Sequence, residues 1–92
     1  MKPPITEHDL RDFAREALPT IPVPEVMAEL SQFTLDPRLG NEALRGRIQY
    51  MILHIVAEEH GDLHRLRQLV SLAQADYRDI YLIVSLELQD MR

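Results

Sequence analysis

Residues 47–70 read RIQYMILHIVAEEHGDLHRLRQLV, and this stretch decides the fold. Apolar residues recur at helical spacing from Ile48 to Ala57, stop at Gly61-Asp62, and resume at Leu63, Leu66, Leu69 and Val70. Gly61 suits the C′ position that ends one helix, and Asp62 suits the N-cap of the next. So short a loop forces the two helices to lie antiparallel. Equal rise on either side of the turn sets residues whose numbers sum to about 122 opposite one another. Arg65 then falls near Ala57 and Glu58, and Arg47 near Ala75 and Asp76. On this register the pairs Arg45/Arg47 and Arg65/Arg67 lie beside carboxylates and form no single basic patch.

The first helix of this hairpin is expected from Glu42 to about Glu59, capped by Asn41. Leu44, Ile48, Met51, Ile52, Ile55 and Glu59 lie along one face, and Tyr50, Leu53 and Ala57 along another. That apolar arc is wider than one partner helix needs, so the helix is central and contacted from two sides. Gly46 inside it costs up to ~1 kcal/mol relative to Ala. Either a close backbone approach or fraying near the helix start accounts for it.

Working outward, Thr6 is placed as an N-cap with Asp9 three residues on, and Ile5 and Leu10 as a hydrophobic staple. The first helix should run from Glu7 to Leu18, with Leu10, Phe13, Ala14 and Ala17 inward. Pro19, Pro22 and Pro24 predict a stiff, extended connector over 19–23. A proline-rich segment can serve aromatic grooves, but this run is short and reads better as a spacer. Pro24 opens a second helix with Val26, Met27, Leu30 and Phe33 inward, ending near Thr34 or Leu35. Asp36-Pro37 cannot continue it, and Asp36 with Pro37 at N1 is placed to cap one isolated turn ending at Gly40.

The last element, Asp76 to about Asp90, carries Tyr77, Ile80, Tyr81, Val84, Leu88 and Met91 in one stripe, with Leu82, Ile83 and Leu86 outside it. Its run IYLIVSL is rich in strand-forming residues, yet a lone strand has no partner here and helical signals flank it. The expected fold is all-α: a compact bundle of about five helices built on the central antiparallel hairpin, with residues 1–92 as a single domain.

Composition sets the function classes. A hydrophobic fraction of 46% with 27% charged residues is that of a folded chain. A formal net charge of −5 disfavours nucleic acid and anionic membranes, whose phosphates reward basic surfaces. With no Cys there is no disulfide, thiolate metal site or cysteine nucleophile. The first residues, MKPPITEHD, lack an apolar secretory core, and no apolar run reaches ~18 residues, so a cytoplasmic protein is expected.

Arg47-Ile48-Gln49, Leu53, Gly61-Asp62-Leu63, Leu66, Val70 and the segment Asp76-Tyr77-Arg78-Asp79-Ile80 together resemble a group of small, functionally uncharacterised bacterial proteins. That group shares a helix, a Gly-Asp turn, and a later helix opening on Asp-aromatic-Arg-Asp. The resemblance covers roughly residues 44 to 82. It implies a helical fold and a bacterial source, and it carries no functional residue onto this chain.

Three sites merit weighing. His54 and Glu58 are an i, i+4 pair, with His60 and His64 just past the turn, and imidazole and carboxylate are legitimate Zn²⁺ or Fe²⁺ ligands. Their spacing matches neither H-E-x-x-H nor the E-x-x-H pairs of di-iron bundles, and polar residues are the default around a solvated turn. No metal or other cofactor is therefore expected. Asp76-Tyr77-Arg78-Asp79 offers two carboxylates and a guanidinium, but helix capping explains the Asp. No serine or threonine lies in a nucleophile elbow and no phosphate-cradling loop occurs, so an enzyme is not expected.

The surplus apolar surface is the informative feature. Tyr50, Leu53 and Ala57 on the central helix, and Leu82 and Leu86 on the last, would form an exposed apolar patch, which usually marks an interface. The expectation is a noncatalytic interaction module that self-associates, most simply as a homodimer, or docks a protein partner. The alternatives are an immunity- or antitoxin-like inhibitor and a helical protein binding a metal or small ligand.

Overall fold

Five α-helices follow one another along the residues that the computed structural model describes, 5–35, 38 and 42–90. They are α1 (Glu7–Ala17), α2 (Val23–Leu30), α3 (Glu42–Glu58), α4 (Leu63–Ala75) and α5 (Arg78–Asp90), with no strand among the described residues. The stretch IYLIVSL is helical, and Asp76 with Tyr77 separates α4 from α5. The expected cap at Asn41 and the turn from Asp36-Pro37 to Gly40 fall outside the described residues.

The caps explain why the helices start where they do. Thr6 Oγ1 accepts from the Asp9 N–H at 3.2 Å, and the Asp9 carboxylate accepts from the Thr6 N–H at 3.0 Å, a reciprocal capping box. That second bond holds the Asp9 carboxyl below its usual range, with the Thr6 hydroxyl adding to the effect. Asp62 caps α4 by accepting from the Arg65 N–H at 3.1 Å.

The proline connector is not extended. Pro19 and Thr20 turn, closed by the Ile21 N–H on the Leu18 carbonyl at 3.2 Å, and α2 begins already at Val23. The turn tucks Ile21 into the core. Pro22 acts as N-cap with its carbonyl accepting from Glu25 and Val26, and Pro24 occupies the first turn, where a missing N–H is harmless.

Helix α2 ends at Leu30, four or five residues earlier than its apolar spacing implies. The Ser31 hydroxyl donates back to the Ala28 carbonyl at 2.8 Å, and Gln32 and Phe33 bond three residues back, tightening the chain out of α-geometry. Side chains from α3 then satisfy the carbonyls left at this end. Gln49 Nε2 donates to the Leu30 carbonyl at 2.9 Å, and Arg45 Nε donates to the Phe33 carbonyl at 3.1 Å. Phe33 itself, beyond the helix, is fully buried.

Helix α3 is packed against α1, α4 and α5, which makes it the central helix expected from its wide apolar arc. Ile48, Ile52, Leu53, Ile55 and Val56 are all fully buried. Gly46 is required by a close approach: a Cβ there would lie 2.8 Å from the Ile5 carbonyl oxygen, on the strap leading into α1. One apolar cluster joins all five helices, and the radius of gyration, 12.6 Å, matches the value of about 12 Å for a compact unit of this length.

The α3–α4 turn departs from expectation in one residue. The Gly61 N–H bonds the Val56 carbonyl at 2.9 Å and the His60 N–H bonds the Ala57 carbonyl at 3.2 Å, the Schellman pattern, so His60 holds C′ and Gly61 follows it. His60 has φ 53°, the left-handed region, while no described glycine has a positive φ. A side chain in that region costs about 1–2 kcal/mol, part of which glycine forfeits through its freer unfolded chain. His60→Gly should therefore stabilise the fold by about 0.5–1 kcal/mol, read as a rise of roughly 2–8 °C in the thermal midpoint. A lowered midpoint would show that His60 makes compensating contacts.

Candidate interaction surface

The apolar face expected on α3 is already used inside the molecule. Phe13 of α1 stacks on Tyr50 with ring centroids 4.5 Å apart and planes inclined by 37°. Leu53, one turn further along, is fully buried, Ala57 is half-buried, and only Tyr50 keeps an exposed edge, at 36%. Leu53 is thus a core residue and not part of an exposed patch. The helical wheel shows how wide the apolar arc is, but it does not show that α1 folds back to cover the second half of it.

What remains uncovered lies on α5. Ile80 is fully buried, Tyr77, Tyr81, Ile83 and Val84 are half-buried, and Leu82 stands 62% exposed. Leu82 lies about 200° around the helix from Ile80, so the side facing the core cannot reach it. Leu86, one turn on, belongs to the part of α5 whose side chains are not described. Tyr77 and Tyr81 meet edge to face at 6.5 Å and brace the start of the helix.

The charged residues beside this face are mostly satisfied locally. Arg78 Nε donates to Asp76 Oδ1 and Nη2 to Oδ2, each at 3.0 Å, and the Arg78 backbone N–H also donates to Asp76 Oδ1 at 3.0 Å. The guanidinium, followed by that backbone bond, holds the Asp76 carboxyl below its usual range. The Asp-Tyr-Arg-Asp segment therefore forms a closed fork at the α4–α5 junction, in keeping with a capping role.

The arginines follow the expected pattern only in part. Arg65 forms a two-pronged pair with Glu59, at 2.7 and 3.1 Å, one residue beyond the expected register. Arg67 reaches across to Glu29 of α2 at 2.8 Å, which keeps its guanidinium more firmly protonated. Asp76 is taken by Arg78, not by Arg47. These partners lie on α2, the α3–α4 turn and the α4–α5 junction, so the arginines are dispersed.

The metal candidates are not assembled. His54 is half-buried, Glu58, His60 and His64 are exposed, and His64 Nε2 lies 3.2 Å from Gln68 Nε2. Among the described residues no three His, Asp or Glu side chains converge. The i, i+4 spacing puts His54 and Glu58 on one face, but the Schellman turn directs His60 and His64 elsewhere. Comparisons with family models, with curated proteins and with solved structures find no match to the chain.

Proposed function

We propose that this is a noncatalytic interaction module that joins a second copy of itself through the outer face of α5. The observation that supports it is Leu82: among the described residues it is the large apolar side chain most open to water, on a helix whose other face is anchored in the core. In a two-fold pairing a single self-complementary patch serves both partners, and Leu82 and Leu86, one turn apart, supply neighbouring apolar positions on one helix. No described helix is long and apolar enough to cross a membrane.

Sedimentation velocity over a range of concentrations tests this. The mass should rise toward twice the 10.7 kDa of the chain. Leu82→Glu should hold it at one chain while changing stability by no more than about 0.5 kcal/mol, as befits an exposed position. A wild-type protein that stays monomeric at millimolar concentration would remove self-association. The same face would then serve a different protein, and the net charge of −5 favours a basic one, as for an immunity- or antitoxin-like inhibitor.

A further inference from the structure

Leu82 is flanked by two opposite charges, one turn towards the start of α5. With about 100° per residue, Arg78 lies about 40° to one side of Leu82 and Asp79 about 60° to the other. The Arg78 side chain is 77% exposed. Its Nε and Nη2 hold Asp76, which leaves Nη1 with donors that engage nothing among the described residues. Asp79 is half-buried, and no hydrogen bond or ion pair engages its carboxylate among the described residues. A cation with donors to spare and an unpaired anion thus bracket the apolar centre.

This asymmetry separates the two ways in which a second copy can lie against α5. Under a two-fold axis parallel to the helices, the left side of one face meets the right side of the other at the same height. Leu82 then meets the partner's Leu82, and each Arg78 meets the partner's Asp79, offset along the helix by about 1.5 Å. Two ion pairs close over one apolar contact. Under a two-fold axis that crosses the helices, each side meets itself and the direction reverses. Centred on Leu82, that arrangement sets Asp79 opposite the position of Leu86. Centred on Val84, it sets Asp79 opposite the position of Asp90. The first strands a carboxylate on an apolar neighbour and the second opposes like charges, so both work against docking.

We infer that the second copy packs with its α5 parallel to the first, joined by reciprocal Arg78–Asp79 ion pairs on either side of Leu82. Each Arg78 then bridges Asp76 of its own chain and the partner's Asp79. The inference rests on the self-pairing proposed above and adds its orientation.

Complementary charge reversals of the full chain, followed by sedimentation velocity, test it. Asp79→Arg puts two cations on each face, and Arg78→Asp puts two anions there. Each variant alone should self-associate at least about tenfold more weakly than wild type. Mixed in equal amounts they should form a heterodimer, since each supplies the sign the other lacks. Far-ultraviolet circular dichroism checks that both are folded. Should Arg78→Asp fail to fold without its fork to Asp76, Arg78→Gln, Asp79→Asn and their double variant take its place. Paired side chains make the double variant no weaker in self-association than the weaker single one. A mixture no more associated than its components, or neutral variants whose losses multiply, overturns the parallel pairing. Self-association through α5 then still stands if wild type dimerises and Leu82→Glu does not. A wild type that stays monomeric at millimolar concentration overturns both.

Discussion

Leu53→Glu is expected to unfold the protein. Leu53 is fully buried in the shared apolar cluster, so the substitution removes a packed side chain and puts a carboxylate where no partner waits. An unpaired charge in such a position destabilises by about 3–5 kcal/mol or more. The whole fold should be worth roughly 5–14 kcal/mol at the usual 0.05–0.15 kcal/mol per residue. Loss of the far-ultraviolet helical signal at 25 °C, or a collapsed urea midpoint, is the readout. Leu53→Met, which conserves volume, should lose less than about 1.5 kcal/mol. The contrast with Leu82→Glu is the informative part, since the same chemical change at an exposed position should leave the helices intact. A well-folded Leu53→Glu protein would mean that this side of α3 is open to water.

Phe33→Ala should be the other severe change, at about 3–5 kcal/mol. Phe33 lies outside any helix, yet it is completely buried. Its backbone is pinned as firmly as its ring, by the Leu30 carbonyl on one side and Arg45 on the other. Such pinning prevents the neighbours from collapsing into the space an alanine would leave, so the upper half of the range applies. At roughly 4–8 °C per kcal/mol for a domain of this size, the thermal midpoint should fall by more than about 16 °C. A loss under about 1 kcal/mol would mean that the segment after α2 relaxes freely.

The two substitutions mark where sequence patterns speak and where they fall silent. Local chemistry was readable: Thr6 with Asp9, Asp62 before its helix, and the helical identity of IYLIVSL all depend on residues within one or two turns. Phe33 was readable as apolar and inward, but not as lying past the end of α2, because that end is set by a Ser31 hydroxyl bond and by side chains arriving from α3. Leu53 was misplaced for a related reason. Apolar spacing reports that a face avoids water without saying whether the cover comes from the same chain or another. Leu82 was readable because it lies opposite Ile80 on a helix with only one face in the core. His60 defeated the expectation since glycine is the usual left-handed residue, and the chain turns one position earlier.

The way α2 is held bears on the order in which the molecule assembles. Helices α3 and α4 are joined by only Glu59–Asp62, so their packing needs contacts close in sequence and should form early. Helix α2 has eight residues, too few to persist alone in water. Its anchors are distant: Gln49 and Arg45 from α3, Arg67 on Glu29 across 38 positions, and Gln74 on the Thr34 N–H across 40. None of these partners is in place until the α3–α4 hairpin exists. Helix α2 should therefore become native only after that hairpin has formed, and its amides should exchange with solvent ahead of those of α3 and α4 when the protein opens locally.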